Sequence, residues 1–325
     1  MDFKINPYRS VYGYPRRATL LTRLYLILLY ILQCKLIKTT FQVQEFFAIR
    51  SSLFLHLTVL GEYILNISFE PNFVHLTVLV QISDIHIGSL YDALVFDKIV
   101  QEVNSMKPDA IIVTGDITDE GILPQFELAR IELQRLNCRE LIVLPGNHDY
   151  RHTGYLLFKK FFPTSQIYDM GDVVLMTLHT ARPDRDEGEV GYRQLLWMEK
   201  AIEKFEGQQK KMIIAMHHHL IGIPDTGTDK IIILDAGDTL RVCLDSHVDL
   251  VLCGHKHRPW VWNLGSLQIA YAGTASSSRF RGFFQNTYNI IDIKKNNLSV
   301  KLKIVGGKSF PLSDLVSKYK PFLNT

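Results

Sequence analysis

At 325 residues, with 47% hydrophobic and 21% charged residues, the chain has room for one large domain or two small ones and the composition of a globular protein. The net charge of +3 divides into +4 on residues 1–72 and −1 on the remaining 253, so the body lacks the basic face of a general nucleic-acid binder. Cys34, Cys138, Cys243 and Cys253 form no CxxC pair, which speaks against a disulfide framework or zinc knuckle and for buried reduced thiols in an intracellular protein.

The first 72 residues differ from everything after them. Leu24–Leu32 is uninterrupted and apolar, but Arg23 and Lys35 bracket only eleven residues, short of the ~20 that span a bilayer as a helix. Cations stand on both sides of the run, so charge asymmetry gives no orientation, and no small-residue cleavage site follows it. Three readings stay open: an interfacial helix resting on an anionic membrane, a helix packed on the body, or an upstream extension outside the fold. Leu55–Leu60 (LHLTVL) nearly repeats Val74–Leu79 (VHLTVL), yet only the second copy leads into polar residues with metal-binding chemistry. The domain proper is therefore expected over 73–305, with 1–72 an extension and 306–325 a C-terminal tail.

From there strands and helices alternate. Leu76–Ser83 reads as a strand. Tyr91–Met106 carries Leu94, Val95, Ile99 and Val103 on one helical face and stops at Pro108. Ala110–Thr114, a helix over about 124–136 and Leu141–Leu144 complete a βαβαβ pattern, hence a parallel sheet with right-handed crossovers. A short helix at 154–162, a strand at 172–180, a helix at 194–205, a strand at 212–216, a helix at 237–245 and a strand at 249–253 follow. Leu220–Asp235 is a long connection without a clear period, the kind that is usually functional or mobile. The last third has only short β-like runs, expected to complete a second sheet as antiparallel strands.

Five of these strands stop at residues with metal or proton chemistry. They end in Asp84-Ile-His86, Gly115-Asp116-Ile-Thr-Asp119, Pro145-Gly-Asn147-His148-Asp149, His217-His-His219 and Gly254-His255-Lys-His257. Each alone is common turn chemistry. Five in succession point to one polar site along one edge of a sheet, because ligands gather beyond the carboxyl ends of parallel strands. Imidazole, carboxylate and amide donors suit Mn, Fe, Zn or Co, and the absence of thiolates argues against a structural zinc. Two such ions about 3.5–4 Å apart can clamp a phosphate.

In order and spacing, Asp84-x-His86, Gly115-Asp116, Gly146-Asn147-His148-Asp149, His217 and Gly254-His255-x-His257 resemble the calcineurin-like metallophosphoesterases. The GNHD and GHxH elements are similar to the branch containing the class III cyclic-nucleotide phosphodiesterases. The resemblance covers about residues 76–305 and implies an α/β fold, a four-layer α/β/β/α sandwich of two mixed sheets flanked by helices. It implies two divalent ions: Asp84, His86, Asp116 and His257 would hold one, and Asp116, Asn147, His217 and His255 the other, with Asp116 shared. It also implies in-line attack of hydroxide, formed at the metals, on a phosphate ester, with a diester preferred. His148 would stabilise the transition state and protonate the leaving group, and Asp119 would orient His148. Many relatives have His-His-Pro where this chain has His217-His218-His219-Leu220, so His217 is chosen because it directly follows the apolar run. Arg279 and Arg281 could each meet an anionic part of the substrate or simply be solvated. A phosphomonoesterase, and a non-catalytic membrane-associated adaptor of the same fold, are the rival functions. The expected location is cytoplasmic, with membrane contact only through residues 1–72.

Overall fold

The computed structural model describes residues 76–162, 166–227, 231–294 and 297–317. The apolar run of the first 72 residues, with His56 and His75, lies outside the described residues.

The βαβαβ reading holds. Strands β1 (Thr77–Ile82), β2 (Ala110–Thr114) and β3 (Glu140–Leu144) run parallel, connected by α1 (Ala93–Met106) and α2 (Leu123–Leu133). Asp92 starts α1 by accepting from the Leu94 and Val95 amides at 3.0 and 3.1 Å. Lys107, left-handed at φ 51°, stops it before Pro108. After α3 (Gly154–Phe161) come β4 (Ile167–Asp169), a three-residue strand too short to read from its pattern, and β5 (Val173–Thr177). Then follow α4 (Tyr192–Glu203), β6 (Lys211–Ala215), α5 (Ala236–Asp245) and β7 (Leu250–Cys253). The end of the chain adds β8 (Trp260–Leu264), β9 (Leu267–Tyr271), β10 (Thr287–Lys294), β11 (Asn297–Ile304), β12 (Ser309–Pro311) and α6 (Leu312–Ser317).

Two six-stranded mixed sheets result, ordered β12-β11-β10-β1-β2-β3 and β4-β5-β6-β7-β9-β8. Alternation along the buried strands sorts side chains into three cores. Leu79, Ile112, Ile142 and Leu144 of the first sheet pack with Leu175, Ile213, Ala215 and Leu252 of the second. Their neighbours Val80, Ile82, Ile111, Val113 and Val143 turn the other way, onto α1, α2 and α3. Val174, Met176, Ile214 and Val251 face α4 and α5. The architecture is the expected four-layer α/β/β/α sandwich. Strands that are apolar on both faces are what such layering demands.

The last third departs from the sequence reading. It does not simply complete the second sheet with antiparallel strands. Of the two late strands that join the second sheet, β8 pairs antiparallel with β9, while β9 runs parallel to β7. Strands β10, β11 and β12 return to the first sheet, where β10 pairs antiparallel with β1 from Thr77↔Ile293 to Gln81↔Asn289. That pairing covers the edge of β1 that β2 leaves open, and a buried Asn289 Nδ2 to Gln81 Oε1 bond of 2.9 Å pins its register. A two-residue period shows that a strand exists, not which edge it joins.

Candidate metal centre

The five strand ends do not lie along one sheet. The ends of β1, β2 and β3 belong to the first sheet and those of β6 and β7 to the second, so the site forms where two stacked sheets present their carboxyl ends together. Tight backbone makes this possible. Asp84, His86, Asp116, His255 and His257 all have positive φ, between 51° and 79°, a conformation costing on the order of 1 kcal/mol or more for non-glycine residues. Two glycines leave the space. A Cβ on Gly146 would lie 2.1 Å from Asp116 Oδ1, and one on Gly115 (φ +90°) 2.5 Å from His217 Nδ1.

The side chains form two groups around Asp116. On one side, His86 Nε2 lies 2.8 Å from His257 Nε2, Asp84 Oδ1 lies 3.4 Å from His257 Nε2, and Asp116 Oδ2 lies 3.8 Å from His86 Nε2. On the other, His217 Nε2 lies 3.3 Å from Asp116 Oδ2 and 3.2 Å from Asn147 Oδ1, while His255 Nδ1 lies 3.0 Å from Asn147 Oδ1. All seven are buried. Donor atoms of Asp84, His86 and His257, and likewise of Asp84, Asp116 and His217, fall within 4.8 Å of one another.

Hydrogen bonding from outside fixes what these rings offer. His217 Nδ1 donates to the Thr114 carbonyl at 2.7 Å, and His257 Nδ1 to the Arg279 carbonyl at 2.5 Å. Each ring then turns a bare Nε2 inward, as is usual for metal-bound imidazoles. Around His217 that lone pair meets the Asp116 carboxylate and the Asn147 carbonyl oxygen. Acceptors facing acceptors in a buried space need a cation between them. The titration behaviour shows the same demand. Burial alone would depress His217, but Asp116, together with Asp84 and the Thr114 carbonyl, outweighs it and lifts the ring to about 9, so that a proton takes the cation's place. Burial, more than the nearby Asp116 charge, raises Asp84 to about 7. The donor set therefore fits divalent metal ions.

His218 has a donor atom within 4.8 Å of those of His217 and His255, but it is differently bonded. Its Nδ1 lies 2.8 Å from Thr180 Oγ1 and its Nε2 donates to the Asp186 carbonyl at 3.1 Å, so both nitrogens are engaged. His219 Nε2 donates to the Gly254 carbonyl at 2.9 Å, and its ring packs on Tyr271 with centroids 4.3 Å apart. His217→Ala is accordingly expected to lower the bound metal from two ions per chain to one, whereas His218→Ala keeps both. Elemental analysis of the two purified variants checks this, and the reverse pattern would move the ligand to His218.

His148 donates from Nδ1 to the Asp119 carbonyl at 2.7 Å, and its own amide is tied to Asp116 Oδ1 at 2.9 Å. Its Nε2 has no hydrogen bond among the described residues. The Asp119 carboxylate is equidistant, 3.4 Å, from His148 Nδ1 and His86 Nδ1. It is thus as much a partner of the His86 ring as of His148, and His86, first, together with His148, holds it below the usual carboxylate range. His148 itself is oriented by the Asp119 main chain.

Asp149 is a residue whose position the motif conceals. It points beneath the site, accepting from the Thr118 amide (2.8 Å), Thr118 Oγ1 (2.7 Å), the Gly146 amide (2.9 Å) and the Ile117 amide (3.2 Å). It ties the Asp116 loop to the Asn147 turn, and burial raises its pKa to about 6. In Asp149→Asn, the amide nitrogen must face two of these donors. The expected loss is about 2–4 kcal/mol of folding stability, from buried donors at about 1–3 kcal/mol each, read as a lower midpoint in urea. An unchanged midpoint would sink this reading. Thr274 Oγ1, donating to the Asp84 carbonyl at 2.6 Å, is another support that no sequence signal marks.

Among the described residues, no helix is long and apolar enough to cross a membrane. Cys243 and Cys253 are buried free thiols, and burial pushes Cys243 up to about 12.

Comparison with known proteins agrees with this geometry. A "Probable cyclic nucleotide phosphodiesterase" of Rhodococcus erythropolis is 28% identical over 214 residues, covering 60% of this chain and 70% of its own length. A "Probable glycerophosphodiester phosphodiesterase GpdQ" of Arcobacter nitrofigilis is 27% identical over 207 residues, covering 57% and 74%. A solved dimetal phosphatase from Danio rerio shares the fold with a TM-score of 0.57 at 11% identity, over 73% of this chain and 98% of that one. The model of the calcineurin-like phosphoesterase domain matches residues 77–259, more than half of the chain. With its Asp, Asn and His donors gathered inside that span, this chain belongs to the calcineurin-like phosphoesterase family and is a metal-dependent phosphoesterase.

Proposed function

We propose that the protein hydrolyses phosphodiesters at a binuclear centre, with Asp84, His86, Asp116 and His257 on one ion and Asp116, Asn147, His217 and His255 on the other. The observation that carries this reading is the position of Asp116. Its Oδ2 lies 3.8 Å from one inward-facing imidazole and 3.3 Å from another, so one carboxylate serves both donor groups. When bound, two divalent ions would neutralise phosphoryl charge and acidify a water near neutral pH; Mn, Fe and Zn all suit these donors.

The chain's own residues do the rest. His148, braced by the Asp119 carbonyl, offers Nε2 to the substrate, first as a hydrogen-bond donor to the phosphoryl group and then as the acid that protonates the departing oxygen. Asp119 also steadies the His86 ring, so orientation of the acid and of one ligand share a residue. The preference for a diester rests on the relatives named as phosphodiesterases, and His148 would supply the proton that an alkoxide leaving group needs. With added Mn²⁺, bis(p-nitrophenyl) phosphate is expected to be hydrolysed faster than p-nitrophenyl phosphate. A monoester rate far above the diester rate would make the protein a phosphomonoesterase instead.

A further inference from the structure

Along β1, Leu79 faces the second sheet as part of the apolar core between the two. Two residues on, the same face carries Gln81, a fully buried amide. Its Nε2 donates to the main-chain carbonyl of Cys253 at 2.9 Å and to Thr114 Oγ1 at 3.0 Å. Its Oε1 accepts from Asn289 Nδ2 at 2.9 Å. A carbonyl can only accept, so the contact with Cys253 fixes which way the amide points.

Both donor contacts end at the metal centre. Thr114 closes β2 in the first sheet and leads directly into Gly115 and Asp116. Cys253 closes β7 in the second sheet and leads directly into Gly254-His255-Lys256-His257. One side chain thus joins the two sheets at the last strand residue before each of two ligand-bearing turns. The sheets approach closely at this level. The Thr114 carbonyl accepts from His217 Nδ1 at 2.7 Å, and the His255 amide donates to Asp84 Oδ2 at 3.0 Å. A Cβ on Gly254 would lie 2.0 Å from Ser83 Oγ.

Each donor group draws on both sheets. Asp84, His86 and Asp116 follow strands of the first sheet and meet His257 of the second, while Asp116 and Asn147 of the first meet His217 and His255 of the second. Apolar packing between the sheets is non-directional, whereas metal–ligand distances hold to within about 0.2 Å. Directed hydrogen bonds across the gap supply what the apolar core lacks. Stability alone gives no reason for an amide here, because replacing buried hydrogen-bonded groups by apolar ones of the same shape can be nearly neutral.

Resting on the binuclear reading above, we propose that Gln81 is a positioning residue of the metal centre. It sets the spacing between the Asp116 turn and the His255–His257 turn, and with it the affinity for both ions. Calorimetric titration of the metal-free protein with Mn²⁺ is expected to give Gln81→Leu an affinity about 10–100-fold below wild type at both positions. At full loading, low-temperature electron paramagnetic resonance should show a coupled Mn²⁺ pair in the wild type and weaker coupling in Gln81→Leu. Leu302→Ala opens a cavity elsewhere in the same inter-sheet core and controls for general loosening. It should lower the urea midpoint and keep the wild-type affinity and signal. Wild-type affinity in Gln81→Leu, an unchanged coupled signal, or an equal loss in Leu302→Ala overturns the proposal. If Gln81→Leu does not fold, Thr114→Val decides, because it removes one acceptor and leaves the main chain. It should cost about threefold to tenfold in affinity, the scale of one hydrogen bond, and no change overturns the role. A wild type that takes up a single Mn²⁺ overturns the binuclear reading instead. The affinity of that one ion in Gln81→Leu then still decides for or against the residue.

Discussion

Replacing Asp116 by asparagine is expected to abolish turnover and strip metal from both positions while leaving the protein folded. Asp116 Oδ1 accepts from the His148 amide at 2.9 Å, and Oδ2 faces both His217 and His86. An asparagine that keeps its oxygen on the His148 amide must turn its NH₂ toward the two inward Nε2 atoms. It then donates to the lone pairs that would bind metal, and a carboxylate charge is lost between two cations. The loss of activity should go well beyond the ~10–100-fold typical of a missing supporting partner. The metal-free variant should lose the stability that the Asp116–His217 pair contributes at neutral pH, and melt below metal-free wild type while staying folded. Full metal occupancy in Asp116→Asn, by elemental analysis, would show that the two donor groups do not share this residue.

The same substitution changes the response to pH. In the metal-free wild type His217 is raised to about 9 from the ordinary histidine value of 6.5, against the pull of burial, chiefly because Asp116 lies beside it. A raised folded pKa contributes stability that is fully present below 6.5 and is lost as pH climbs through about 9. Metal uptake displaces that proton, so affinity for the second ion should strengthen between pH 6.5 and 9 in the wild type. In metal-free Asp116→Asn, urea midpoints should no longer fall between pH 6.5 and 9 through His217.

His148→Ala is expected to lower kcat by about 10²–10⁴-fold with both metals retained. His148 touches Asp116 through its amide, which alanine keeps, and its ring is bound to the Asp119 carbonyl rather than committed to the metal groups. The deficit should depend on the leaving group. p-Nitrophenolate departs without a proton and needs the imidazole least. An alkyl ester releases a strongly basic oxygen and should lose most. An equal deficit on both esters would leave His148 a binding group and deny it the role of acid. Asp119→Asn should act more weakly, by about 10–100-fold, because the main-chain carbonyl that orients His148 survives.

The sequence was sufficient for the layers and for the list of candidate ligands. Apolar runs of four to six residues, each stopping at Gly, Asp, Asn or His, mark buried parallel strands and their functional ends whatever the fold does next. The helices between them announce themselves through Pro108 and their apolar faces. Pairing was not legible. A strand's period is the same on either edge, so the return of β10 to β1 depends on which open edge was left to cover and on the buried Gln81–Asn289 bond. Direction was hidden too. Three consecutive histidines read alike, but a carbonyl at Thr114, a hydroxyl at Thr180 and a carbonyl at Gly254 send their rings to different places. Asp149 sits in the same motif as Asn147 and His148 yet points under the site, because four donors from the Asp116 loop and the Gly146 turn converge there. Residue type says what a side chain can bind. Only contacts between segments far apart in the chain decide which of its atoms are still free to do so.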